Sequence, residues 1–136
     1  SIPAKTIVVT GGEPSLYPLD YLTSRLKEEG VKTMVETSGA YELTGEWDWI
    51  CLSPKKQSPP LQQNLDCADE LKVIIQKEED IEWAEENAAK VGKNCLLFLQ
   101  PEWSKKDEII DSLTNYVMSN TKWRISLQAH KYMKIP

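Results

Sequence analysis

Apolar and polar positions change period several times along this chain. Ile7, Val8 and Val9 form a short β-branched run, which predicts a strand over residues 6–10. Leu19, Leu22 and Leu26 then recur at helical spacing between Pro18, suited to a first helical position, and Gly30, a C-terminal stop. Residues 31–36 and 49–52 read as the second and third strands, and residues 70–75 as the fourth. A helix follows with Ile81, Ala84, Ala88 and Val91 on one face and Gly92 at its end. Residues 95–99 predict a fifth strand. Ser104 and Asp107 resemble a capping box ahead of a helix bearing Ile110, Leu113 and Val117, and residues 124–127 read as the last strand. Strands that alternate with helices predict an α/β protein whose sheet is parallel and whose crossovers are right-handed. No repeat or low-complexity tract breaks the pattern. At 136 residues the chain has the size of one domain, so residues 1–136 are read as a single α/β domain.

Composition narrows the function classes. Hydrophobic residues make up 40% and charged residues 27%, and no apolar run approaches the roughly 20 residues that span a bilayer, so no membrane segment is expected. The opening residues lack a basic stretch followed by an apolar one, which makes a cytoplasmic protein the expectation. With 21 acidic against 16 basic residues the net charge is −5, and no Lys/Arg stripe is present. That balance is poorly suited to gripping a phosphate backbone, so direct nucleic-acid binding is not expected. Cys51, Cys67 and Cys95 are odd in number and widely spaced, which argues against a disulfide framework and against a local metal knuckle. They are read as reduced thiols packed like small apolar residues. No metal ligand and no catalytic side chain is assigned in this chain.

The first three predicted strands all end in turn-forming or polar residues. Thr10-Gly11-Gly12-Glu13-Pro14 follows the first, Glu36-Thr37-Ser38-Gly39 the second and Ser53-Pro54-Lys55 the third. Strand ends of this kind are where α/β sheets place their ligands. The first loop has three readings. It lacks both glycine-rich phosphate signatures, and Glu13 would repel a phosphate. As a plain turn it would need only one glycine, and a second suggests close approach to the backbone. As a carboxylate beside exposed backbone amides and carbonyls, it suits a ligand's ammonium group.

With the segments that follow it, this loop makes the sequence resemble the 7-carboxy-7-deazaguanine synthase family of the radical S-adenosylmethionine superfamily. The resemblance runs in order through VVTGGEPSL, VETSG, WDWICLSPK, ADELKVI, FLQPEW and WRISLQAHKYMKIP, and covers nearly all 136 residues. It implies a partial, incomplete TIM-like barrel with parallel strands. It also implies cofactor contacts for Gly11, Gly12 and Glu13 around the methionyl amino group of S-adenosylmethionine. Ser38, Ser53, Pro54 and Lys55, and Gln100, Pro101, Glu102 and Trp103, would add further cofactor contacts. Thr10, Gln128, His130 and Pro136 would face the substrate, a small-molecule pterin. The implied activity is a carbon–nitrogen lyase step, the conversion of 6-carboxy-5,6,7,8-tetrahydropterin to 7-carboxy-7-deazaguanine with loss of ammonia. It feeds queuosine or related deazapurine biosynthesis, and with it tRNA modification, in an enzyme that is commonly a homodimer.

The sequence departs from the family in one respect. The superfamily's cysteine triplet, usually C-x-x-x-C-x-x-C, is not present. A 4Fe–4S cluster and Mg²⁺ are therefore expected only in a full-length enzyme, with their ligands outside this chain. The expectation is an N-terminally truncated C-terminal portion, inactive as given. The rival is a cluster-free α/β module that binds an adenosyl or amino-acid ligand without catalysis.

Overall fold

The structure is a computed structural model that describes residues 5–127. Ten elements follow one another: β1 (Thr6–Val9), α1 (Asp20–Glu28), β2 (Lys32–Thr37), β3 (Trp49–Leu52), α2 (Gln62–Cys67), β4 (Glu70–Ile75), α3 (Asp80–Ala88), β5 (Leu96–Pro101), α4 (Lys106–Ser119) and β6 (Trp123–Ile125). Short 3-10 turns stand at Pro14–Leu16 and Trp103–Lys105. Contacts along the chain divide it into two compact units. The first holds residues 5–71 with Lys90–Cys95, and the second holds Lys72–Ala89 with the described residues from Leu96 onward.

In the first unit β1 pairs with β2 from Thr6↔Lys32 to Val9↔Val35, and β2 pairs with β3 from Met34↔Trp49 to Thr37↔Leu52. β3 in turn pairs with the opening residues of β4, Cys51↔Glu70 and Leu52↔Leu71. All three pairings are parallel, so the C-terminal ends of β1, β2 and β3 lie at one edge of this sheet. Strict alternation on β2 buries Thr33, Val35 and Thr37. Val35, Cys51, Leu52, Leu65, Ala68 and Leu71 form the apolar core of this unit. The parallel α/β arrangement expected from the alternation of elements is the one observed.

The second unit pairs β5 with β6 in parallel, Leu97↔Trp123 to Leu99↔Ile125. Val73, Ile75, Ala84, Leu99, Ile109, Leu113 and Trp123 are buried in it. Glu85 on α3 ties the helices to the last strand. It accepts hydrogen bonds from Tyr116 Oη at 2.5 Å, Trp123 Nε1 at 2.7 Å and Lys122 Nζ at 2.7 Å.

Several local expectations are corrected. α1 begins at Asp20, so Pro18 precedes the helix and the position ahead of it, Leu19, carries no side-chain cap. The helix also buries Thr23, while Leu22 is exposed. Polar partners explain this: Thr23 Oγ1 donates to Leu19 O at 3.0 Å and accepts from Glu46 N at 3.1 Å, which a leucine cannot do. The Ser104–Asp107 capping box does not form. Ser104 turns back instead and gives both its N–H, at 3.0 Å, and its hydroxyl to Glu102. α3 stops at Ala88, short of Val91, and α2 occupies a stretch for which the sequence predicts no element. Among the described residues no helix is long and apolar enough to cross a membrane.

Candidate functional site

The C-terminal edge of the first unit's sheet is organised around one carboxylate. As β1 ends, Gly11 and Gly12 adopt φ of 82° and 51°, a left-handed region in which any side chain is strained. A Cβ built on either would meet nothing within 4 Å, so the conformation, not crowding inside the protein, selects glycine here. The two residues are exposed and deliver Glu13 to the edge.

Glu13 is the meeting point of two loops. Its Oε2 accepts from Ser15 N at 2.8 Å, from Thr37 Oγ1 at 2.6 Å and from the Ser15 hydroxyl. Its Oε1 accepts from Ser38 N at 2.7 Å. Partial burial pushes the carboxyl's pKa up, but the hydrogen bonds from Ser15, Thr37 and Ser38 outweigh it and hold the group at about 2. Glu13 is therefore an anion throughout the physiological range.

Thr37 extends the connection to the third strand. Its hydroxyl accepts from Gly39 N at 3.1 Å, and its carbonyl accepts from Ser53 N at 2.8 Å, at the exit of β3. Gly39, at φ 73°, gives its carbonyl to Leu61 N and to the buried Asn64 Nδ2, both at 2.8 Å. Three loops are thus braced by buried polar groups that all have partners. Nearby on the same edge, Thr10 Oγ1 donates to Glu36 Oε2 at 3.0 Å, and Lys55 Nζ reaches Ser53 Oγ at 3.5 Å. Pro54 is buried and Lys55 exposed.

Of the residues singled out from sequence, Thr10, Gly11, Gly12, Glu13, Ser38, Ser53, Pro54 and Lys55 all stand at the C-terminal ends of β1, β2 and β3 in this unit. Gln100, Pro101, Glu102 and Trp103 stand in the second unit, where β5 ends. Gln100 is buried and accepts from Ser126 Oγ at 3.1 Å, and Glu102 N donates to Ile75 O at 2.9 Å. Lys106 Nζ lies 4.8 Å from the centroid of the Trp103 ring. Gln128, His130 and Pro136 lie outside the described residues. Sequence reasoning missed Ser15. The available signal was a hydroxyl two positions after a glutamate, a spacing repeated at Glu102 and Ser104.

Among the described residues no group of three His, Cys, Asp or Glu side chains is placed to hold a metal ion. Cys51 is buried, and Cys95 has its pKa raised to about 11 by burial and by the charges of Asp69 and Glu70. The exposed Cys67 also has its pKa raised, by partial burial and by the charges of Asp69 and Asp66, so Cys67 and Cys95 lack the electropositive surroundings of a thiolate ligand. The described residues do not fit an iron–sulfur cluster.

No family model matches the sequence. Individual relatives do. A protein from Flavobacterium psychrophilum named 7-carboxy-7-deazaguanine synthase is 58% identical over 133 residues, covering 98% of this chain and 63% of the relative. One of the same name from Prochlorococcus marinus is 36% identical, covering 97% of this chain and 68% of the relative. The crystal structure of QueE from Escherichia coli superposes with a TM-score of 0.82 at 32% identity, over 93% of this chain and 58% of that one. The chain thus spans 63% and 68% of the length of the two named relatives and 58% of the solved chain. Identity at this level along almost the whole chain, on a matching fold, makes the chain a member of the 7-carboxy-7-deazaguanine synthase family.

Proposed function

We propose that this chain carries the S-adenosylmethionine-binding part of a radical S-adenosylmethionine lyase that forms 7-carboxy-7-deazaguanine from 6-carboxy-5,6,7,8-tetrahydropterin. The observation that supports it best is the braced edge at which Gly11, Gly12 and Glu13 meet Thr37, Ser38 and Ser53. A fixed anion beside exposed glycine backbone suits an ammonium group, because a charge-assisted hydrogen bond is about twice as strong as a neutral one. In this reading Glu13 and the Gly11–Gly12 backbone hold the methionyl amino group. Ser38, Ser53, Pro54 and Lys55 take other parts of the same cofactor, as do Gln100, Pro101, Glu102 and Trp103. Thr10, Gln128, His130 and Pro136 face the pterin.

Bound S-adenosylmethionine would supply the radical chemistry, and the protein's part is to orient the reactants and exclude water. The reading treats residues 1–136 as the C-terminal portion of one domain. It assigns the 4Fe–4S cluster and Mg²⁺ to residues outside these 136, so the chain alone is inactive, and it includes homodimerisation of the whole enzyme. The rival is a cluster-free module that binds an adenosyl or amino-acid ligand without catalysis.

The complete product of the source gene, anaerobically reconstituted with iron and sulfide, separates the two. Release of ammonia and of 7-carboxy-7-deazaguanine from the pterin supports the proposal. Saturable S-adenosylmethionine binding with no iron uptake and no turnover would leave only the binding module.

A further inference from the structure

The two oxygens of Glu13 are unequally occupied. A carboxylate oxygen has about two in-plane lone-pair sites. Among the described residues Oε2 already receives three donors, Ser15 N, the Ser15 hydroxyl and Thr37 Oγ1, whereas Oε1 receives only Ser38 N at 2.7 Å. Acceptor capacity therefore remains on one oxygen and not on the other.

The donors crowding Oε2 are themselves held. Ser15 is 8% exposed and Thr37 is 3% exposed. The Thr37 hydroxyl has a single proton. It must accept from Gly39 N at 3.1 Å, so its proton is directed to Glu13. That arrangement fixes the rotation of the carboxylate plane, because turning it would leave the buried Thr37 and Ser15 hydroxyls without an acceptor.

We infer that Ser15 and Thr37 are positioning residues that saturate Oε2 of Glu13 and thereby aim Oε1 at the ligand's ammonium group. The inference rests on the proposed S-adenosylmethionine site and adds which oxygen makes the contact and what holds it there. It separates these two side chains from Ser38, whose backbone N–H shares Oε1 with the ligand. It also gives a reason for a threonine at the end of β2, where alternation alone would accept any β-branched residue.

The test compares two probes in the complete gene product by calorimetry: S-adenosylmethionine, and 5′-methylthioadenosine, which keeps the adenosyl part and lacks the amino acid. Thr37→Val preserves shape and removes the donor. It is expected to weaken S-adenosylmethionine about tenfold and to leave 5′-methylthioadenosine within about twofold, since a lost hydrogen bond to a charged group is felt only where the charge is used. Thr37→Ser, which restores the hydroxyl, should recover most of the loss. Ser15→Ala, which keeps its backbone N–H, should repeat the pattern about threefold weaker, and it decides the matter if melting curves show that Thr37→Val does not fold. Equal weakening of both probes, or no change in either, overturns the positioning role while leaving the cofactor site standing. A wild-type protein that binds neither probe overturns the site, and the inference with it.

Discussion

Replacing Glu13 with glutamine tests whether this carboxylate braces the fold as its hydrogen bonds indicate. The four contacts lower its pKa from an ordinary 4.5 to about 2 against the opposing effect of burial. Each pKa unit corresponds to about 1.4 kcal/mol, so the whole shift would amount to about 3 kcal/mol for a fully enclosed group. Glu13 is only partly buried, and solvent screening reduces this to about 1–2 kcal/mol.

The sign follows from the depressed value. The stabilisation is fully present above 4.5 and is lost as pH falls through about 2. Glutamine adds a second penalty that does not depend on pH, because its NH₂ group would point a donor at the donors of Ser15, Thr37 or Ser38. The assay is urea unfolding of wild type and Glu13→Gln between pH 7 and pH 2, followed by fluorescence. The difference in unfolding free energy should be constant from pH 7 to about pH 5 and shrink by about 1–2 kcal/mol below that. Since other acids titrate in both proteins, the difference isolates Glu13. A gap that stays the same across the whole range would show that the charge contributes nothing and that Glu13 is a turn residue.

Gly39→Ala should cost about 2–4 kcal/mol in chemical denaturation, because a Cβ there would lie 2.7 Å from Cδ1 of the fully buried Leu52 at a φ of 73°. Gly12→Ala, with open space around it, should cost only about 1 kcal/mol from its backbone angle, and equal losses at the two sites would contradict the packing argument. Burial, with the hydrogen bond to Glu85 second, raises the Tyr116 phenol to about 12, so difference absorbance titration against Tyr116→Phe should find its midpoint there. The associated stability is present below 10.0 and lost as pH rises towards 12, and Glu85→Ala should bring the midpoint back towards 10.0.

The order of the strands, their parallel pairing and the three loops that carry the candidate site were legible in the chain. Each rests on local chemistry. A β-branched run such as residues 7–9 favours extended backbone whatever surrounds it, and the glycine pair marks a turn before any partner is known, although that both glycines are left-handed came only from the structure. Family likeness was legible for the same reason, since it is carried by short contiguous segments at strand ends.

What only the three-dimensional arrangement decided depends on residues distant in sequence. Thr23 is buried in preference to Leu22 because Glu46, 23 residues later, supplies the N–H that its hydroxyl needs. Gln62–Cys67 becomes a helix where its Asn64 can reach the carbonyls of Gly39 and Tyr41, an anchor that no periodicity encodes. Ser104 fits a capping box by spacing, yet its hydroxyl goes to Glu102 at the foot of β5. Glu13 shows the division most clearly. Its type and its place after two glycines were visible in the sequence. Its lowered pKa and the inequality of its two oxygens arise from Ser15, two residues on, together with Thr37 and Ser38, and the last two reach it only because β1 and β2 pair in register.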